Sequence, residues 1–150
     1  MAEPARRLDE ALDAMRWVEV DGRFAIVGVD GPPAAEDLED LAPPSQVVTE
    51  EDETTLLVRE DRLPGLLERR PGARVERDLV WFTFQAPMGW EVVGFLARVT
   101  AALADEGVPL GAVCGFHRDH LFVPARHRDR ARRVLARLFP EEAAGRGPLP

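Results

Sequence analysis

Cysteine occurs once in the 150-residue chain, so no disulfide framework can form within it. Positive charge is also scarce. Nineteen basic residues stand against 27 acidic ones, and the net charge of -8 repels phosphate backbones and anionic lipid surfaces, which argues against nucleic acid and membrane partners. No apolar run approaches the roughly 20 residues needed to span a bilayer. Nothing near Met1 joins a charged segment to an apolar one in the manner of a secretory leader, and we expect a cytoplasmic protein. What the chain does have is apolar material to fold with: 45% hydrophobic against 31% charged residues, the balance of a globular protein of one domain or two small halves sharing a core.

Periodicity divides the chain. Leu8, Leu12 and Met15 recur at helical spacing behind Pro4, which predicts an amphipathic helix over 5–16. "WVEVDGRFAIVGV" reads as two strands about an Asp21–Gly22 hairpin turn. "GPPAAEDLEDLAPP" leaves room for a couple of helical turns around Leu38 and Leu41. "SQVVTEEDETTLLV" is a hairpin with Glu50 to Glu53 at its tip, and "RLPGLLERRPG" a brief helix. In "LVWFTFQ", Val80, Phe82 and Phe84 share one face and Leu79, Trp81 and Thr83 the other; both faces are apolar, as in a central strand. From Trp90 to Glu106 the period changes to that of a helix, with Val92, Leu96, Val99 and Leu103 in one stripe and Gly107 as its closing residue. "PLGAVCGFH" and "HLFVP" follow as strands around an Arg118–Asp119 turn. In the last helix, 125–138, Ala131, Val134, Leu135 and Leu138 face inward. Arg126, Arg128, Arg130, Arg132, Arg133 and Arg137 then form a solvated outer face, diluted by Asp129, Glu141 and Glu142.

A shift of 65 positions lays Val48 on Val113, Leu56 on Leu121, Leu57 on Phe122 and Val58 on Val123. We read an imperfect duplication of a β-α-β-β-α unit: an N-terminal helix over 1–16, a degenerate first repeat over 17–76, a second over 77–139 and a flexible tail over 140–150. The expected fold is α+β and ferredoxin-like, an antiparallel sheet with helices on one face.

The stretch "CGFHRDH" brings the cysteine close to two histidines. A turn at Arg118–Asp119 would set His117 opposite His120 on one face, but Cys114, an odd number of residues from His117, would point to the other. The set is short of the three or four ligands a zinc site needs, and the same parity separates a Cys114/His117 nucleophile pair. Cys114 is expected to be a small buried hydrophobe. With Gly111, Ala112 and Gly115 it makes a slim strand, which suits close approach by another backbone or a ligand.

The loop "QAPMGWEVVG" leads into the long helix. Gly89 permits a tight backbone and Glu91 suits the unpaired N–H groups of a first helical turn. One reading is an ordinary strand-to-helix loop. The other is a ligand site, in which those N–H groups attract a carboxylate while Glu91 or Asp119 attracts an ammonium. Trp90 serves as a wall of such a site or as a core anchor.

At these residues the sequence resembles small tandem ACT-domain proteins. Gly94-Phe95-Leu96 is similar to the family's Gly-aliphatic-Leu element near the helix start. "GVPLGAVCGFHRDHLFVP" is similar to its small-residue strand, turn aspartate and apolar return strand, and "QVVTEEDETTLLV" to its first-repeat hairpin. The resemblance spans about 17–138. It implies a regulatory or sensing fold that binds an amino acid between ACT units, commonly as a homodimer. Arginine-sensing relatives use the loop before the helix and the hairpin aspartate. Carried over, the ligand-binding positions are Gly89, Trp90, Glu91, Gly94 and Asp119, with Cys114, Gly115 and Phe116 from the adjoining strand. Met88-Gly89 departs from the family's Asp-x-x-Gly-like pattern, and His117 and His120 stand where hydroxyl and aromatic residues are frequent.

The expectation is therefore a non-catalytic, amino-acid-binding regulatory protein with no cofactor and no metal. An interaction or assembly module without a small-molecule ligand is the alternative. No nucleophile with a base at workable spacing, no phosphate-binding glycine loop and no complete metal set speaks for an enzyme.

Overall fold

The computed structural model describes residues 4–39, 41–85 and 88–139, which gather into two compact units. A terminal unit joins the chain up to Val20 with the chain from Val80 onward, and a central unit is Asp21–Leu79. In chain order the elements are α1 (Pro4–Ala14), β1 (Trp17–Asp30), α2 (Ala35–Glu39), β2 (Gln46–Thr49), β3 (Glu53–Arg59), α3 (Leu63–Arg69), β4 (Arg74–Phe84), α4 (Phe95–Asp105), β5 (Gly111–Cys114), β6 (Asp119–Pro124) and α5 (Arg128–Leu138). Strands run in the order β1-β4-β6-β5 in the terminal unit and β2-β3-β1-β4 in the central one, because β1 and β4 contribute to both. The β1–β3, β2–β3 and β5–β6 pairs are antiparallel. This is an α+β architecture. The packing units part at Val20 and Val80, whereas the segments read as repeats meet at residues 76 and 77, inside β4. Residues 140–150, with Glu141 and Glu142, lie outside the described residues.

The period-2 pattern of β4 builds the core of the terminal unit. Val80, Phe82 and Phe84, with Leu121 and Val123 of β6, meet Phe95, Val99 and Leu103 of α4 and Ala131, Val134 and Leu135 of α5. Leu8 and Leu12 bring α1 onto the same cluster, which Met15 and Trp17 extend. Phe84 touches Phe95 and Phe139 edge-on at 5.1 and 5.6 Å, a geometry aromatic quadrupoles favour. On the other face of the sheet Trp81 packs on Phe122 at 4.9 Å. As expected, β4 is buried on both faces between two neighbours. Gly107 closes α4 at φ +66°, with its N–H on Ala104 O and that of Val108 on Leu103 O at 2.9 and 3.0 Å.

The central unit packs Ala25, Val27 and Val29 of β1 and Leu56 and Val58 of β3 against Leu63 and Leu66 of α3. Asp37 is 1% exposed and is held by the Ala34 N–H at 2.9 Å and by Arg70 at 2.7 Å. The loop after β1 and the β2–β3 hairpin are laced together. The Gly31 N–H donates to Asp52 O at 2.8 Å, and the Thr54 hydroxyl donates to Gly31 O at 2.7 Å. Within β4, Asp78 takes a positive φ of 57°; Val75 packs on the central core and Val80 belongs to the terminal one. Arg23 grips the Asp78 carboxylate at 3.1 Å.

Three expectations are corrected. No hairpin forms at Asp21–Gly22: β1 is one unbroken strand, and Gly22, at φ +109°, supplies a kink inside it. A Cβ there would come within 2.7 Å of the Arg59 guanidinium, whose Nη1 donates to Asp21 O. The long helix starts at Phe95 and not at Trp90, because Gly94 at φ +96° ends the preceding loop; Trp90, Glu91 and Val92 are outside it, and Phe95 takes the buried position read for Val92. The arginines of α5 are not a purely solvated face. Arg128 and Arg132 each reach the Glu19 carboxylate at 2.6 Å, Arg132 also lies over the Trp17 ring, and Arg137 pairs with Glu106 at 2.8 Å.

Candidate functional site

A cleft of about 320 Å³ opens in the terminal unit between the loop after β4, the first turn of α4 and the tip of the β5–β6 hairpin. Gly89, Trp90 and Gly94 line it from the loop, and Cys114, Gly115, Phe116 and Asp119 from the hairpin. These are seven of the eight positions singled out in the sequence. Glu91 is the exception: it lies ahead of the helix, and its carboxylate folds over Gly89 where a Cβ would collide with it.

The loop delivers a helix terminus to the cleft. Gly94 offers no side-chain cap, and the Arg98 N–H donates the helix's opening bond to Gly94 O at 2.9 Å. Phe95, Leu96 and Ala97, whose N–H groups precede that bond, all line the cleft. The positive end of the helix dipole thus adjoins it.

The hairpin turns two residues earlier than its sequence suggests. Cys114 pairs with Asp119 and Val113 with His120, while the Gly115 N–H donates to Arg118 O at 2.7 Å, so the turn is Phe116–His117. His117 and His120 are therefore not opposite one another. The exposed ring of His117 meets Phe116 at 4.7 Å, whereas Nδ1 of His120 accepts the Trp81 indole N–H at 3.1 Å. Burial pushes the His120 imidazole below its ordinary pKa, the Asp119 charge opposing and the Arg118 charge adding to the effect. Among the described residues no group of three or more His, Cys, Asp and Glu side chains is placed to hold a metal.

Cys114 is exposed, not a buried hydrophobe, because β5 ends the strand order. A Cβ on Gly111 would meet nothing, so the slimness of β5 answers to no neighbour among the described residues. Gly115 differs: a Cβ there would lie 3.2 Å from Arg118 O and 3.3 Å from His120 Nε2. Cys114 stands opposite Asp119 in the hairpin register. A hydrogen bond to the Asp119 carboxylate, then loss of hydration and the Asp119 charge, push the thiol pKa up, which disfavours the thiolate a nucleophile needs.

Sequence reasoning missed Arg118, which lines the cleft and whose buried Nε has no hydrogen-bond partner among the described residues. Its signal was hidden by the register, since a turn centred on Arg118 would have sent it into solvent. Met88, Val92 and Leu96 also line the cleft and pack on the terminal core.

Residues 74–137 match the family model of the ACT domain, the segment from β4 to α5 that builds this cleft. The chain is similar to a protein of Agobacterium tumefaciens at TM-score 0.70 and 22% identity, over 83% of this chain and 88% of that one. A Vibrio cholerae protein of unknown function, described as a possible transport protein, matches at TM-score 0.68 and 20% identity, over 91% and 98%. The ligand-free regulatory subunit of aspartate kinase from Thermus thermophilus matches at TM-score 0.56 and 18% identity, over 84% and 97%. At these identities the likeness is one of fold. Among curated proteins, none matches. Among the described residues no helix is long and apolar enough to cross a membrane.

Proposed function

We propose, from the premise that β4 to α5 match an ACT domain, that this protein is a non-catalytic regulatory module holding an amino acid in the cleft before α4. The observation that carries this reading is convergence: an uncapped helix terminus and the Asp119 carboxylate line one small cleft, offering partial positive charge to a carboxylate and full negative charge to an ammonium. A volume of about 320 Å³ suits a small ligand, at the lower end of the usual range for such sites. The same reading takes the protein to be cytoplasmic and homodimeric; among the described residues β5 ends the strand order, and such an edge can accept a strand from a second copy.

Thermal unfolding in the presence of each of the twenty amino acids tests it. A ligand at 100 times its dissociation constant adds about 2.7 kcal/mol, and Asp119→Ala should abolish the gain. No shift with any amino acid would end the proposal.

The exposure of Trp90, Val93 and Phe116 favours a second reading, a protein-docking module without a small-molecule ligand. It predicts that Asp119→Ala leaves partner capture and oligomeric state unchanged.

A further inference from the structure

Resting on the amino-acid reading of the cleft, we infer that its ligand carries a large apolar side chain, that Arg118 fixes the ligand carboxylate, and that Trp90 and Phe116 close over the side chain. Trp90 is 99% exposed and Phe116 91%, and both line the cleft, one from the loop and one from the hairpin turn. Two bare rings on opposing segments are a costly display of apolar surface unless something covers them. Between them the floor is apolar as well. Met88, Val92 and Leu96 line the cleft and pack on the terminal core, so a side chain entering here extends a hydrophobic cluster that already exists.

The charges select in the same direction. Arg118 and Asp119 are the lining residues with full charge, one of each sign. The head group of a zwitterion uses both. A second carboxylate or a second cation on the ligand would have to enter the apolar part of the cleft lined by Met88, Val92 and Leu96, which disfavours it. Arg118 is suited to the carboxylate because it lines the cleft, its Nε has no acceptor among the described residues, and a planar guanidinium takes a carboxylate through paired N–H donors. Cys114 stands opposite Asp119 in the hairpin register.

Isothermal titration of the full chain with leucine, phenylalanine and methionine, against glycine, aspartate and lysine at equal concentration, tests the inference. Binding of the first three at least tenfold tighter than of the others is expected. Trp90→Ala and Phe116→Ala, at exposed positions where circular dichroism should show the fold intact, should each weaken leucine or phenylalanine tenfold or more, and leucinamide should lose binding. Arg118→Lys should retain more leucine affinity than Arg118→Gln. Tighter binding of aspartate or lysine would overturn the side-chain assignment while leaving the amino-acid reading in place. Leucinamide binding as well as leucine would overturn the role of Arg118. Unchanged affinity in both ring variants would overturn the closing pair, and silence from every amino acid would overturn this inference together with the reading beneath it.

Discussion

The indole N–H of Trp81 donates to Nδ1 of His120 at 3.1 Å, so the hydrogen bond that ties β4 to β6 behind the cleft needs a neutral imidazole. Burial lowers the folded pKa from its ordinary value, so the unfolded chain takes up this proton first as pH falls. The contribution of His120 is complete above about pH 6.5 and is lost as pH drops through the folded value. We expect a lower urea midpoint at pH 5.5 than at pH 7.5, with a smaller difference in His120→Gln, which keeps an acceptor for Trp81 and does not titrate. An identical pH dependence in the variant would show that the imidazole is not the titrating group.

Cys114 is exposed yet held by Asp119, two properties that oppose each other in thiol chemistry. With its pKa raised, the thiolate fraction is small at neutral pH, and alkylation by iodoacetamide should be slower than for a free cysteine at pH 8. Asp119→Asn removes the charged acceptor and should speed it severalfold. Equal rates for the two proteins would disprove the thiol–carboxylate bond.

Glu19, with its side chain 12% exposed, receives both Arg128 and Arg132. Burial alone would raise its pKa, but the hydrogen bonds and charges of the two arginines outweigh that and hold it below its ordinary value. The resulting stabilisation is present above about pH 4.5 and is lost as pH falls through the folded value. Glu19→Gln should cost about 1.5–3 kcal/mol at pH 7, the range for hydrogen bonds to charged groups, with the loss shrinking in acid. Guanidinium unfolding at pH 7 and pH 3.5 measures both.

Leu103 is fully buried in the last turn of α4, at the end of the helix away from Gly94. Leu103→Ala should lower stability by about 2–5 kcal/mol, the cost of the lost contacts plus the cavity left behind. An unchanged denaturant slope would show that the folded and unfolded states kept their compactness.

Much of this was legible in the chain because burial imposes short periods. Val80, Phe82 and Phe84 alternate as a strand demands, Val99 and Leu103 recur as a helix demands, and Gly107 ends that helix where its left-handed φ is needed. Where one residue type serves two geometries, the sequence was ambiguous. Asp21–Gly22 kinks a strand with the same positive φ that would turn a hairpin. Arg118–Asp119 resembles a turn more than Phe116–His117 does, yet Gly115 and the Trp81–His120 bond set the register. Val92 fits the helical stripe by spacing although Gly94 stands between it and α4. The clasps of Glu19 by Arg128 and Arg132, and of Asp37 by Arg70, join residues far apart in the chain, and no local pattern announces them. The candidate cleft was legible as two segments of small and glycine residues; Arg118 was not, because its direction depends on the register.

Gly31 is stitched to its hairpin. Its amide donates to Asp52 O and its carbonyl accepts from Thr54, so that corner is fastened by its own chain. On the proposed reading, which rests on the cleft of the terminal unit, calorimetry should count one guest for each polypeptide although the hairpins at Val48 and Val113 spell similar words; a count of two would point to the cavity of about 310 Å³ beside Glu53, Thr55 and Arg74.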